Sequence, residues 1–235
     1  MTANPPRRKT GGRQAQITVA DIEREGLRLG LQNLTVNGVA AALGVSPTAL
    51  YRHVDGKLGL EALVGEALLR DLQIADDPED GIKAHLLSFA QQVRDFVLAR
   101  PGLAVYMQSL FPRGAAGVRL QREAVEALGR RGYGPGAAVM LSGGVAALAI
   151  NLSAAEERHR PYLEGAHRRE LEKVYALLAA DDVLARAQAE LPQISGEAYF
   201  RMVMTACIRG LVSAAAPARP VDDILGELGF KPTQP

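Results

Sequence analysis

All-α is the fold class that this 235-residue sequence predicts, and three observations predict it. Apolar residues recur at helical steps in Ile82, Leu86, Phe89, Val93 and Val97, in Leu141, Val145, Leu148 and Leu152, and in Phe200, Met204, Cys207 and Leu211. No stretch sustains the every-second-residue alternation of a half-buried strand. Proline and glycine punctuate the helical runs at Pro101-Gly102, Pro112, Gly132 to Pro135, Pro161 and Pro192, so helix breaks are expected there. The result is three or four short helices in front, then an antiparallel bundle of five or six longer ones.

The 48% apolar content supports a packed core, and 23% charged residues is ordinary for a globular chain. The net charge of +1 hides an asymmetry. Residues 1–57 hold eight basic against four acidic side chains, a net of +4, which leaves −3 for the remainder. A basic front on a mildly acidic body suits a polyanion that touches only the front, although a solvated arginine-rich tail produces the same imbalance. The single cysteine, Cys207, excludes an internal disulfide framework and a multi-cysteine metal site, and its apolar helical setting reads as a buried thiol. No apolar run of membrane-spanning length is expected, and the basic N-terminus lacks an apolar stretch behind it, so a cytoplasmic protein is the simplest expectation.

Taken in order, residues 1–16 are rich in Pro, Gly and basic side chains and read as a flexible basic arm. Thr18 with Asp21 three residues on is a capping box, opening a first helix that runs to about Gly30. Thr35 caps a second helix carrying Val36, Val39, Ala40 and Leu43, which Gly44 ends in the left-handed conformation. Ser46-Pro47 starts a third, short helix ending near His53–Val54, with a hydroxyl at the cap and a proline at the first turn. Asp55-Gly56 turns the chain into a fourth helix from about Lys57 to Gln73. The polar, proline-bearing segment from Asp76 to Asp80 is the expected boundary, separating residues 17–73 from a second domain over 78–235.

Two helices of about eight residues joined through a glycine turn form a helix-turn-helix candidate. Its geometry asks for a small residue where the helices cross (Ala40), positive φ at the turn (Gly44), and apolar locks at Val39, Leu43, Val45 and Leu50. All six requirements are met in register. With Leu50 inward, the third helix leaves Pro47, Thr48, Ala49, Arg52 and His53 outside, a size and shape that a major groove admits. Tyr51 and His53 can donate to phosphate oxygens, Arg52 can do so or read a guanine edge, and Lys57 reaches back to the same strand. Each also has a plain structural role open to it: Tyr51 packing on the first helix, His53 capping the third, Lys57 solvated at a helix start. The adjacent Tyr-Arg-His triplet could instead serve a small helical enzyme as acid–base residues, but a short helix fans three consecutive side chains over too wide an arc to converge.

The stretch LTVNGVAAALGVSPTALYRHVDGK resembles the DNA-binding signature of the TetR family of one-component transcriptional regulators, over roughly residues 17–72. That resemblance implies an N-terminal three-helix helix-turn-helix domain and a C-terminal antiparallel helical bundle for ligand binding and dimerisation. It places Pro47, Thr48 and Arg52 near bases, and Ala49, Tyr51, His53 and Lys57 at the sugar–phosphate backbone. Thr35 and Asn37, at the start of the second helix, join the DNA-facing set. The sequence departs from the family pattern in a short link around Leu31 to Leu34 and in Gly38 and Gly59 inside helices.

By the same resemblance the protein is a homodimeric, non-enzymatic regulator of double-stranded operator DNA, most simply a repressor released by a small-molecule effector and needing no cofactor. A helical-bundle enzyme or a ligand carrier that does not bind DNA is the alternative. Pro135–Glu157 and Gly196–Ala216 are candidates for the dimer interface, the first being equally readable as a buried central helix. Phe96, Tyr106, Met107, Phe111, Met140 and Met204 are candidate cavity-lining residues, which with the absence of tryptophan point to an apolar effector. His85, His159 and His167 lack a second ligand at metal spacing, and Gly132-Tyr-Gly-Pro-Gly lacks the lysine of a phosphate-binding loop.

Overall fold

Thr18 starts the fold. Its hydroxyl accepts from the Asp21 N–H at 3.2 Å while the Asp21 carboxylate accepts from the Thr18 N–H at 3.0 Å, closing the expected capping box on helix α1 (Val19–Leu29). The computed structural model describes residues 17–109, 111–165 and 167–230, so the basic arm expected over 1–16 lies outside the described residues. The link after α1 is a single 3-10 turn (Leu31–Asn33) that the sequence reading did not anticipate. Thr35 caps α2 (Val36–Leu43) by accepting from the Gly38 N–H at 2.9 Å. A Cβ at Gly38 would lie 2.8 Å from that same hydroxyl, so glycine inside the helix keeps the cap in place. Gly44 sits at φ 67°, ψ 30°, the left-handed turn that the helix pair needs.

The third helix is shorter than expected. Regular α3 covers only Pro47–Leu50, and the Ser46 hydroxyl makes no cap hydrogen bond. The backbone continues as tight turns, because the N–H groups of His53 and Val54 both donate to the Leu50 carbonyl, at 2.8 and 3.0 Å. Helix α4 (Gly56–Arg70) then begins at Gly56, with φ 62°. Ile22, Leu34, Val39, Ala40, Leu50, Val54, Leu60 and Val64 form one buried cluster beneath these helices, with Leu43 and Val45 packed at its edge.

The body adds eight described helices where five or six were expected: α5 (Ile82–Leu98), α6 (Leu103–Ser109), α7 (Ala115–Arg130), α8 (Pro135–Glu164), α9 (Arg168–Ala179), α10 (Asp182–Glu190), α11 (Gly196–Ala214) and α12 (Val221–Glu227). Helix α8 is central and packs against α5, α6, α7 and α11. It is also long and apolar enough to cross a membrane by length and composition, contrary to the sequence expectation, but half of its apolar window is buried inside this fold. Pro161 does not break it: the ring removes one hydrogen bond within an exposed stretch, and the helix carries on to Glu164. Helix α9 packs on α8 and α10 packs on α9, and none of their residues is fully buried.

Helix α4 belongs to both halves. Leu60 and Val64 lie in the front core, whereas Leu69 and the following Leu72 lie in the core of the body. The Glu66 carboxylate accepts from the Ala116 N–H at 2.8 Å, and Arg119 donates to the Leu69 and Leu72 carbonyls at 3.0 and 2.9 Å. At Gly65 the Tyr106 ring presses on the α4 backbone so closely that a Cβ would come within 2.3 Å of it.

The polar segment after α4 is likewise clasped to the body. Asp76 pairs with Arg130 at 2.6 Å, Arg131 at 2.7 Å and His85 Nδ1 at 2.8 Å. Arg131 also donates to the backbone carbonyls of Asp77 and Asp80.

Candidate nucleic-acid interface and ligand cavity

The front core decides which side chains are left outside. With Val39, Ala40 and Leu50 buried, the same two helices turn Thr35, Asn37, Pro47, Thr48 and Arg52 to solvent, and Ala49 and His53 are half-buried. Tyr51 is 58% exposed. The Tyr51, Arg52 and His53 side chains make no hydrogen bond with any described residue, and His53 therefore does not cap α3. Lys57, on the first turn of α4, lies 3.5 Å from Glu61 in an exposed pair, and no side chain caps that helix start.

The arrangement offers donors of several lengths over one face, next to an uncapped helix N-terminus, which attracts anions. Leu58, 68% exposed beside Lys57, is an apolar member of this face that the sequence reading missed. A period-3.6 pattern does not mark it, because it is the one leucine of α4's first turn that points away from the core.

The body holds a cavity of about 330 Å³ between α5, α6, α7 and α8. Of the six expected lining residues, Met107 and Phe111 border it. The other four do not. Tyr106 is turned from its neighbour Met107 by one helical step and faces α4 at Gly65. Met204 is fully buried in the core on α11, and Met140 is half-buried on α8. Phe96 stacks under the Arg100 guanidinium, 3.5 Å from the ring centre.

The residues that do shape the cavity include Phe89, Val93, Leu120, Ala146 and Ile150 from three helices. Polar groups sit among them: Gln108 donates to Asn151 at 2.8 Å, and Gln121 and Ser142 add two more. Asn151 was detectable as the one amide in the apolar run GGVAALAINLSAA. Among the described residues, no charged side chain lines this cavity.

Burial also raises the proton affinities of Tyr106, Tyr133 and Cys207. Tyr106 is pushed up to about 12 by burial and by the Glu66 carboxylate, so its unpartnered hydroxyl stays neutral. Cys207 is half-buried where a fully buried thiol was expected, and burial raises its thiol. Among the described residues, no group of three or more His, Cys, Asp or Glu side chains is placed to hold a metal.

No protein-family model matches the chain, and no curated protein sequence does. Solved structures do match. ActR, a TetR family protein of Streptomyces coelicolor solved in complex with actinorhodin, superposes with a TM-score of 0.71 over 87% of this chain and 100% of its own, at 18% identity. The chain has the TetR-family fold.

A TetR transcriptional regulator from Streptomyces coelicolor gives a TM-score of 0.60 over 86% of this chain and 100% of that one, at 18% identity. A TetR variant from Acinetobacter baumannii AYE in complex with minocycline gives 0.58 over 84% and 96%, also at 18%. The fold of these TetR structures thus spans both halves of the chain, including the body, for which no sequence motif was available.

Proposed function

We propose that this chain is a TetR-family transcriptional regulator that binds operator DNA as a homodimer and is released by an uncharged, largely apolar small molecule. The observation that carries the reading is one continuous piece of architecture. An exposed recognition element (Pro47 to His53) stands on a packed helix-turn-helix, and α4 joins that unit to a cavity-bearing body. ActR with actinorhodin and the TetR variant with minocycline, both of this fold, support a ligand-receiving body. On this reading Thr48 and Arg52 address base edges, with Pro47 and Asn37 beside them, while Tyr51, His53, Lys57, Ala49 and Thr35 hold the backbone. The protein acts in the cytoplasm, where its DNA is, and the reading assigns it no catalytic step.

Dimerisation supports the reading on geometric grounds. Helix α11 leaves Tyr199, Met202, Ala206, Arg209 and Ser213 exposed at helical spacing, and α8 leaves Val139 exposed away from the cavity. A second copy packed on these faces brings two recognition elements to one duplex. They must stand about 34–36 Å apart to enter successive major grooves. A ligand that favours another spacing shifts the population off DNA.

The coupling route runs through α6. Met107 and Gln108 border the cavity, and Tyr106 on the same helix bears on α4 at Gly65. Moving α6 moves α4, and with it Lys57 and the recognition element.

Fluorescence anisotropy tests the reading with a labelled duplex from the DNA flanking the chain's own coding sequence, titrated against a scrambled duplex. Specific binding about a thousandfold tighter than to the scrambled sequence is expected. Arg52→Ala and Thr48→Ala should alter which base pairs are preferred, at a cost of about 1–3 kcal/mol at the affected position. Equal affinity for both duplexes removes the proposed function.

A further inference from the structure

The structure assigns a second, polar chamber behind the ligand cavity, where His85 accepts a hydrogen bond from the donor end of an elongated, uncharged ligand. This deepens the ligand-responsive reading and rests on it. The chamber has a volume of about 150 Å³ and is lined by Asp76, His85, Glu123, Glu126 and Arg130 beside an apolar wall. That wall is shared. Ile74, Phe89, Leu120 and Ala124 border both the large cavity and the small chamber, so the two are separated by a single layer of side chains. Ala124 is its thinnest part.

His85 is 4% exposed and its Nδ1 lies 2.8 Å from Asp76. The Asp76 carboxylate already has two guanidinium partners, Arg130 and Arg131. Burial and the nearby Arg131 charge press the imidazole below its ordinary proton affinity, which favours the neutral ring. A neutral imidazole that donates from Nδ1 to Asp76 has its lone pair on Nε2. No described residue donates to that nitrogen. The chamber therefore presents an open, uncharged acceptor on the His85 ring.

Charge balance sets the ligand class. The large cavity has no charged lining residue, so an ion placed there loses hydration without a counter-charge. In the small chamber every acid has a cation of its own: Asp76 has Arg130 and Arg131, Glu123 has Arg119 at 3.0 Å, and Glu126 has Arg122 at 3.8 Å. An entering charge finds no free partner, whereas a hydroxyl or N–H finds His85. The ligand is thus an apolar body of drug-like size ending in a neutral donor.

Three biphenyl probes test this with the full-length chain by isothermal titration calorimetry: 4-phenylphenol, its methyl ether 4-methoxybiphenyl, and biphenyl-4-carboxylate. The phenol should bind about tenfold more tightly than the ether, which cannot donate, and the carboxylate should bind most weakly. His85→Phe should erase the difference between phenol and ether. Ala124→Phe, which thickens the wall and leaves the His85–Asp76 contact intact, should erase it as well, so a folding defect in one variant does not decide the matter.

Equal affinity for phenol and ether in the wild type, tightest binding of the carboxylate, or no binding of any probe overturns the assignment. The DNA measurement separates this from the regulator reading. A phenol preference that depends on His85 but leaves DNA affinity unchanged keeps the chamber and removes the regulator. Specific DNA binding without the phenol preference removes only the chamber.

Discussion

In the front unit the side chains proposed to face DNA stand outside a small, fully packed core, whereas in the body the candidate site is a void inside a larger one. The two regions therefore respond to packing in opposite ways. Every buried contact in the front unit holds an exposed side chain in position, so loosening the core disorders the interface. In the body, the contacts absent from the cavity are what make room for a ligand, and filling that space costs the site while sparing the fold. Helix α4 serves both, and Leu31 in the 3-10 turn before α2 also packs against both cores.

Loss of a front-core side chain breaks this comparison hardest. Leu50 is completely buried beneath the recognition element, and Leu50→Ala should remove about 2–5 kcal/mol of stability in chemical denaturation. Specific DNA binding should fall with it, because Leu50 is the buried side chain of α3 that packs into the front core. The matching change in the body, Ala146→Phe, points a ring into the void and should leave the denaturation midpoint nearly unchanged while abolishing ligand binding. A loss of stability in the second variant as large as in the first would show that the cavity is no reserve of space.

The clasp at Asp76 tests the joint between the regions, with an expected effect of about 2 kcal/mol. Burial works to raise the Asp76 carboxyl, but hydrogen bonds from Arg131 and Arg130 outweigh it and hold the group at about 2 against an ordinary 3.8. A carboxyl depressed on folding contributes stability that is complete above its unfolded value and is lost as pH falls through the folded one. Stability of the wild type should therefore decline between about pH 4 and pH 2 more steeply than that of Asp76→Asn, measured by urea denaturation across that range. Parallel pH profiles would mean that the clasp adds nothing to the joint.

How much was legible beforehand follows the same division between front and body. Thr18 with Asp21, Thr35, Gly44 and Leu50 act on neighbours within a few residues, so the caps, the turn and the inward face could be read directly from their spacing. The exposed set from Pro47 to Lys57 followed from the position of Leu50 alone. The cavity did not, because it is assembled by α5, α6, α7 and α8, and a residue's membership depends on how those helices cross. Met107 lines it while the adjacent Tyr106 points at α4, a difference of one helical step that periodicity cannot assign without the partner helix. The contacts of the segment from Asp76 to Asp80 stayed hidden for a related reason. Only tertiary structure brings Arg130, Arg131 and His85 to Asp76.

The contact between Gly65 and Tyr106 sharpens the comparison at the point where the regions meet. A methyl group at Gly65 would come within 2.3 Å of the Tyr106 ring, so Gly65→Ala should cost about 1–3 kcal/mol through overpacking. Tyr106→Leu should recover much of that cost in the double variant, since the two residues share one contact. Tyr106→Leu alone should keep DNA affinity and weaken its response to ligand, read as a smaller shift of the DNA-binding curve at saturating probe. Additive stability losses in the double variant would place the strain elsewhere.

The smallest effect belongs to Lys57, and it separates positioning contacts from base readout. Its pair with Glu61 is exposed at 3.5 Å, and such pairs contribute about 0.5 kcal/mol or less, so Lys57→Ala should leave the unfolding midpoint where it is. Against DNA the loss of one phosphate contact should weaken specific and scrambled duplexes alike by about 1 kcal/mol. The slope of log affinity against log salt should become shallower by about 0.9. Arg52→Ala should behave differently, leaving scrambled-duplex affinity closer to wild type and flattening the preference at one position. If both variants gave the same uniform loss, Arg52 would be a second backbone contact, and base readout would rest on Thr48 and its neighbours at the start of α3.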